Sequence, residues 1–154
     1  VEMEEIDFGK LLRQTLADMD GEIQKSPYKF KIDIPKEAVM VYADGDRMYR
    51  VFQNLIGNAL KYSLEGSRIY ISLKTEKNAA VADIRNTSRS ELKQDVDFTA
   101  RFTRGDESRT DGGSGLGLSI AKSFTEACGG TFEVETMADL FTVKVSFEQK
   151  KCNV

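Results

Sequence analysis

The spacing of hydrophobic residues along the chain predicts three helices. Over residues 8–23, apolar side chains recur every three or four positions, which predicts a helix of about four turns that Asp7 caps and residues 26–27 end. The same spacing predicts a second helix over 46–63 and a third over 115–129, where a pair of glycines begins. These three segments would supply the helical part of the fold.

Alternation of apolar and polar residues predicts six strands. Turn-forming residues at 65–67, 77–78 and 137–139 separate neighbouring elements. The order is helix, two strands, helix, two strands, loop, helix and hairpin, which predicts an α/β (α+β) two-layer sandwich with helices on one face of a mixed, mostly antiparallel sheet. The predicted strands are 28–34, 39–42, 69–73, 79–85, 132–134 and 141–147.

Two polar stretches interrupt this pattern. Residues 86–95 form a predicted loop with weak periodicity, and Phe98 and Phe102 bracket a short helical turn after it. Residues 103–114 contain no apolar side chain. A stretch of that composition cannot bury itself, so we predict a mobile loop of the kind that often serves as a functional lid.

The helix predicted over 46–63 carries a polar stripe opposite its apolar side. At roughly 100° per residue, five of its polar side chains fall within an arc of about 80°. Asparagine is a mediocre helix former, so two amides one turn apart indicate a task beyond solvation. An amide oxygen can hold Mg²⁺ while a lysine meets a phosphate, and an ordinary solvated face is the alternative. The stripe consists of Arg47, Arg50, Asn54, Asn58 and Lys61.

Composition limits the classes of function. The 154 residues are 40% hydrophobic, which suits one globular domain with a core. A net charge of −3, from 22 basic and 25 acidic residues, argues against a general nucleic-acid or anionic-membrane binder. Histidine is absent, which excludes histidine-based metal sites, Ser-His triads and a histidine phosphoacceptor within this chain. Cys128 and Cys152 lack metal-ligand spacing and are interpreted as free thiols.

A glycine-rich motif opens the third predicted helix. Gly113, Gly115 and Gly117 alternate with other residues at the point where a helix N-terminus offers free N–H groups. This arrangement suits a phosphate, and a flexible hinge is the alternative. Arg104 precedes it on the predicted mobile loop, where a guanidinium could neutralise a transferred phosphoryl group or form a surface ion pair instead.

Three segments of the chain follow the order and spacing of known family motifs. The N box corresponds to residues 54–62, the F box to 101–104 and the second glycine box to 113–118. Together they resemble the ATP-binding catalytic domain of bacterial two-component sensor histidine kinases, which belongs to the Bergerat-fold ATPase superfamily. The resemblance covers nearly the whole chain and implies an α/β sandwich whose mobile ATP lid precedes the second glycine box.

The resemblance implies a role for each matching residue. Asn58 would be the principal Mg²⁺ ligand, and Asn54 would support the metal or the phosphates. Lys61 would contact phosphate oxygens and Arg104 would reach the γ-phosphate, which makes these four side chains the predicted catalytic group. The other predicted nucleotide contacts are Tyr62 near the nucleoside, Phe102 at the lid hinge, and Gly113, Gly115, Leu116, Gly117 and Leu118 along the phosphates.

One family motif is altered in this chain. The first glycine box, Asp-x-Gly-x-Gly, is replaced by Asn-Thr-Ser-Arg-Ser at residues 86–90. With Ile84 taken as the apolar residue two positions before the box, Asn86 occupies the place of the aspartate that accepts a hydrogen bond from adenine. Its amide oxygen can accept that bond, although a neutral acceptor is weaker than an ionised one. Asp83 is the rival, but it requires a three-residue slip that moves Ile84 off its face.

The resemblance implies a protein-histidine kinase domain that binds Mg-ATP. Such a domain passes the γ-phosphoryl group to a histidine on a separate dimerisation domain, by positioning and charge neutralisation. The alternative is a degenerate domain that binds nucleotide weakly or not at all and acts as a regulatory interaction module. A Bergerat ATPase that drives a conformational clamp ranks last, because such proteins usually need a glutamate base on the helix where this chain has Gln53.

The resemblance also implies partners and a location. The chain begins with Val rather than Met, so we expect a piece of a longer protein, with residues 1–7 ending a linker from an upstream dimerisation and phosphoacceptor domain. The catalytic domain is predicted over 8–148 and a tail over 149–154. A response regulator is the expected downstream partner, with no nucleic acid and no direct membrane contact. The domain is expected to be cytoplasmic, within a parent protein that is a cell-membrane sensor.

Overall fold

The computed structural model describes residues 1–92 and 116–149 of the chain. Over these ranges the chain forms four helices and seven strands. The helices are α1 (Phe8–Asp18), α2 (Asp20–Lys25), α3 (Gly45–Tyr62) and α4 (Leu116–Ala127). The strands are β1 (Glu4–Asp7), β2 (Lys29–Asp33), β3 (Met40–Ala43), β4 (Arg68–Glu76), β5 (Ala79–Thr87), β6 (Thr131–Met137) and β7 (Leu140–Glu148).

Five of the strands form the main sheet, in the order β2-β4-β5-β7-β6. Strand β2 runs parallel to β4, whereas the other neighbouring pairs are antiparallel. Strands β1 and β3 form a separate antiparallel pair. The predicted α/β fold, with a mixed and mostly antiparallel sheet, is therefore confirmed.

The hydrophobic core lies between the helices and one side of the main sheet. Alternate residues of β4, β5 and β7 are buried, and so are the apolar residues along one side of α3. Three aromatic rings meet inside this core. The ring of Phe8 lies 5.1 Å from that of Phe52 and 5.5 Å from that of Phe147, measured between centroids. These contacts pack α1, α3 and β7 together.

The first predicted helix is two helices. The carboxylate of Asp7 caps α1 as expected, because its Oδ1 atom accepts hydrogen bonds from the backbone N–H groups of Gly9 and Lys10. The helix ends at Asp18, however, and α2 begins at Asp20. Aspartate and glycine are weak formers of a helix interior, and a carboxylate is favoured in a first turn, so Asp20 suits a new helix start better than a continuation.

Strand β1 was not predicted. Glu4 to Asp7 pair antiparallel with β3, so part of the segment assigned to a linker forms a strand. Its sequence is acidic and carries only Ile6 as a strongly apolar residue. The alternation of apolar and polar residues that predicts a strand is therefore absent from it. The assignment of residues 1–7 to the end of a linker stays a prediction.

Strand β5 extends two residues beyond its predicted end at residue 85. Asn86 and Thr87 therefore belong to the sheet and not to the polar loop predicted over 86–95. The turns predicted at 77–78 and 137–139 are confirmed: Lys77 and Asn78 have φ values of 50° and 65°, and the β6–β7 hairpin turns at Ala138. The predicted helical turn and lid over 98–114 lie outside the described residues.

Candidate functional site

Helix α3 presents its polar stripe at the surface. Asp44 caps the helix, its carboxylate accepting a hydrogen bond from the backbone N–H of Arg47. The apolar side of α3 is buried, whereas Asn54 and Asn58 are partly exposed and Lys61 is exposed. The predicted amphipathic helix is confirmed, and the amides and the lysine remain accessible to a ligand.

The stripe runs past the N-terminal turn of α4. Asn54 Nδ2 donates a hydrogen bond to the carbonyl oxygen of Gly117 at 3.4 Å. A Cβ atom at Gly117 would lie 4.0 Å from two side-chain atoms of Asn54, so the two helices approach closely here. The end of the glycine-rich motif therefore lies against the first amide of the stripe. Free N–H groups at a helix start and an amide side chain can together hold a phosphate.

Arg47 has a structural role at the other end of the stripe. Its guanidinium lies 4.9 Å from the ring centroid of Phe124 on α4, and its Nε lies 3.4 Å from Asp44 Oδ2. The contact with Phe124 ties the start of α3 to α4, whereas the contact with Asp44 is local to the cap of α3. For this residue neither the ligand role nor the ordinary solvated face is the better interpretation, because its guanidinium packs on Phe124.

The C-terminal end of α3 is joined to the end of β5. Leu64 N–H donates to the carbonyl of Thr87 at 2.8 Å, and Arg89 N–H donates to the carbonyl of Tyr62 at 3.0 Å. Ser63 and Ser88 form an antiparallel bridge between these two bonds. Helix α3 and the end of β5 therefore form one connected unit.

Arg89 was missed in the sequence analysis. Its Nη2 donates a hydrogen bond to the carbonyl oxygen of Lys61 at 2.8 Å. Its guanidinium carbon lies 6.0 Å from the ring centroid of Tyr62, and Lys61 Nζ lies 5.8 Å from the same centroid. The signal in the sequence was an arginine inside the altered glycine box, but its partners are distant in sequence and could not be found by spacing.

Asn86 lies on the buried side of β5. Its side chain is 3% exposed and shares its face of the strand with the buried Ile84. Asp83 points to the opposite face, where Ser72 and Lys144 are its cross-strand neighbours. Glu135 chiefly, and Asp83 to a smaller extent, raise the pKa of Lys144 on that face. Of the two candidates for the adenine-accepting position, only Asn86 lies on the helix side of the sheet.

The altered glycine box adopts a backbone that serine can adopt. Among the described residues, Ser88 and Ser90 are not at positive φ. Ser88 N–H donates to the carbonyl of Asp139 at 2.7 Å, and Ser90 N–H donates to Ser88 Oγ at 3.3 Å. The segment is closed by its own hydrogen bonds, so local geometry does not require the missing glycines.

The structure describes only some of the predicted site residues. Phe102, Arg104, Gly113 and Gly115 lie outside the described residues, and their roles stay predictions. Leu116 begins α4. Leu118 is 6% exposed and belongs to the core, so its side chain is a packing group and only its backbone could face a phosphate.

Comparison with known proteins identifies the family. Residues 43–150 match the model of the histidine kinase-, DNA gyrase B- and HSP90-like ATPases. The chain belongs to this family, which confirms the resemblance that the three motifs indicated. The match begins just before α3, so it contains every residue predicted to bind nucleotide.

Curated relatives of this chain are sensor kinases. Sensor protein KdpD of Clostridium acetobutylicum is 36% identical over 110 residues, which are 69% of this chain and 12% of that protein. Sensor histidine kinase YcbM of Bacillus subtilis is 36% identical over 118 residues, which are 74% of this chain and 38% of that protein. The chain therefore spans well under half the length of these relatives.

Solved structures support the fold. The catalytic domain of histidine kinase ThkA superposes with a TM-score of 0.83 at 22% identity, covering 97% of each chain. The mycobacterial sensor histidine kinase MprB superposes with a TM-score of 0.78 at 21% identity, covering 98% of this chain and 100% of that one. Within the described residues, no helix is both long and apolar enough to cross a membrane.

Proposed function

We propose that this chain is the catalytic domain of a sensor histidine kinase and that it binds Mg-ATP against the polar side of α3. The single observation that carries the proposal is the contact between Asn54 and Gly117. It brings Asn54, the first amide of a stripe of two amides and a lysine, against the start of α4, where the glycine-rich motif ends. Family membership supports ATP as the nucleotide.

The residues at this site suit both the metal and the phosphates. Asn58 lies one turn from Asn54 and is partly exposed, so its amide oxygen can serve as the principal ligand of Mg²⁺. Lys61 is exposed on the next turn, where its ammonium can meet phosphate oxygens. Bound Mg²⁺ would neutralise charge on the phosphates during transfer.

Asn86 would receive the base. It is almost fully buried at the end of β5, and its strand is joined to the end of α3 by backbone hydrogen bonds. Its side-chain oxygen would accept a hydrogen bond from the adenine amino group, and Tyr62 would pack near the nucleoside. Because the backbone joins these two positions, base and phosphates would be held in one fixed arrangement.

Catalysis would come from positioning and charge neutralisation. Asn54, Asn58 and Lys61 would hold the triphosphate, and Arg104 would reach the γ-phosphate as the family motif implies. The chain contains no histidine, so the phosphoacceptor belongs to a separate dimerisation domain of the parent protein. A response regulator would then take the phosphoryl group. The domain would be cytoplasmic, in a parent that senses signals at the cell membrane.

The test is phosphoryl transfer from labelled ATP to the upstream helical region of the parent protein, mixed with this chain. We expect transfer by the unaltered chain and a strong loss in both Asn58→Asp and Arg104→Ala, because one perturbs the metal site and the other removes the cation at the γ-phosphate. The chain alone should show little or no self-phosphorylation. Unchanged transfer in both variants would refute the assigned roles.

A second candidate function is a regulatory interaction module that has lost nucleotide binding. The altered first glycine box, with Asn86 in place of an aspartate, is the observation that favours it. Titration of the chain with ATP and Mg²⁺ by calorimetry separates the two candidates. Heat of binding supports the kinase domain, whereas no heat and no thermal shift at millimolar nucleotide supports the module.

A further inference from the structure

Arg89 makes three contacts with the end of α3. Its side chain donates to the carbonyl of Lys61 at 2.8 Å, its backbone N–H donates to the carbonyl of Tyr62 at 3.0 Å, and its guanidinium lies 6.0 Å from the Tyr62 ring centroid. Lys61 and Tyr62 are two of the residues assigned to the nucleotide. Arg89 itself belongs to the altered glycine box. Its side chain therefore links the segment that begins with Asn86 to the end of α3, where Lys61 and Tyr62 lie.

These contacts suit the chemistry at the end of a helix. The last carbonyl groups of a helix have no partner within it and carry partial negative charge, so a guanidinium is a favourable partner for the carbonyl of Lys61. The planar guanidinium also packs well on an aromatic ring. The Tyr62 ring thus has two cations near it, Arg89 and the ammonium of Lys61 at 5.8 Å.

The backbone of Arg89 is held in place by its neighbours. Ser88 N–H donates to the carbonyl of Asp139 in the β6–β7 turn, and Ser63 and Ser88 form a bridge. The side chain therefore extends from a backbone that is held on two sides. A guanidinium attached to such a backbone can restrict the neighbouring ring more than one attached to a freely moving loop.

We propose that Arg89 is a positioning residue for the nucleotide: hydrogen-bonded to the end of α3, it holds the Tyr62 ring in the arrangement that receives the nucleoside. The inference rests on the proposed function. Arg89 acts through Tyr62, so its effect on ATP affinity depends on that ring.

The test measures the dissociation constant of Mg-ATP by calorimetry in the full chain. Arg89→Ala is expected to raise it about tenfold, because a ring contact and a charged hydrogen bond are lost. Arg89→Lys keeps a cation near the ring but loses the planar fork, so a smaller increase of about threefold is expected. The matched control is Arg85→Ala. Arg85 donates to Thr142 Oγ1 on the opposite face of β5, and its removal should leave the affinity unchanged.

A double-mutant cycle distinguishes positioning from a general loss of structure. In a Tyr62→Ala background, Arg89→Ala should change the dissociation constant by less than about twofold, since the ring that it positions is gone. The Tyr62 ring signals in the nucleotide-free chain should also shift in Arg89→Ala and stay unchanged in Arg85→Ala.

The possible outcomes are separable. An unchanged affinity in Arg89→Ala, or an equal loss with and without Tyr62, overturns the positioning role while the proposed function stands. Failure of the unaltered chain to bind Mg-ATP overturns the proposed function, and the role of Arg89 falls with it. A tenfold loss that disappears in the Tyr62→Ala background supports the proposal.

Discussion

The two ends of the polar stripe on α3 have different surroundings. At the N-terminal end, Arg47 lies over Phe124 and against Asp44, so its charge is already used in packing α3 against α4. Toward the C-terminal end, Asn58 is partly exposed and Lys61 is exposed. Helical spacing placed all of these side chains on one stripe. Tertiary contacts decide which of them are structural and which can serve a ligand.

The largest expected effect is on nucleotide binding. Asn58→Ala should weaken Mg-ATP binding about 100-fold or more, since even indirect supports of a metal ligand are worth about 10- to 100-fold. The free energy of unfolding should stay within about 0.5 kcal/mol of the unaltered value, because Asn58 is partly exposed and alanine is the better helix former. Calorimetry and urea unfolding measure the two quantities.

Gln53→Ala is the matched control for that variant. Gln53 is another partly exposed amide on α3, about 100° or more around the helix from Asn54 and Asn58. We expect its removal to leave Mg-ATP affinity within about twofold, as for a surface substitution. Equal losses of Mg-ATP affinity in Asn58→Ala and Gln53→Ala would show that binding does not depend on whether an amide lies on the stripe.

Arg47→Ala should lower stability and leave Mg-ATP affinity nearly unchanged, which is the opposite of the result expected for Asn58→Ala. Removing the guanidinium from Phe124 and Asp44 should lower the free energy of unfolding by about 1 kcal/mol, most of it from the ring contact, because exposed ion pairs contribute little. Affinity for Mg-ATP should stay within about twofold. Arg50→Ala, on the exposed part of the same stripe, is the control and should change stability by less than about 0.5 kcal/mol. Lost affinity with unchanged stability would contradict the comparison.

The smallest expected effect concerns pH. Hydrogen bonds from the backbone N–H groups of Glu2 and Arg47 hold the pKa of Asp44 below its ordinary value of 3.8. A group with a lowered pKa stabilises the fold fully above its unfolded pKa and loses that contribution as pH falls through the folded value. The stability difference between the unaltered chain and Asp44→Asn should therefore shrink below about pH 4. A difference that stays constant from pH 7 to pH 3 in urea unfolding would argue against the capping role.

Helix α3 could be predicted from the sequence because its amphipathic pattern is long. Val51, Phe52 and Leu55 are buried as the periodicity required, and Asp44 caps the first turn. Long periodic segments carry redundant information, so one misleading residue does not change the outcome.

Short segments were predicted less well. Strand β1 is four residues long and acidic, and it exists because β3 offers it a partner across more than thirty residues of chain. The break between α1 and α2 depends on the local helix preference of Asp20. The apolar spacing continues past this residue and therefore predicted a single helix. Neither feature leaves a periodic signal in its own residues.

Part of the geometry of the candidate site could be predicted, whereas the binding roles of its residues stay predictions. Asn86 could be preferred over Asp83 because strand alternation assigns the two residues to opposite faces, and the structure places them there. Arg89 could not be found, because its contacts with Lys61 and Tyr62 depend on how the end of β5 meets the end of α3. Such contacts are visible only in the folded chain.

The bridge between Ser63 and Ser88 lies where the end of α3 meets the end of β5, and the proposed nucleotide site extends across this junction. The bridge and the two backbone hydrogen bonds beside it join the helix that carries Asn58 to the strand that carries Asn86. If both residues bind one nucleotide, the distance between them selects the ligand by its length. A molecule whose base and metal-bearing phosphates lie farther apart or closer together than in ATP would contact only one of the two residues.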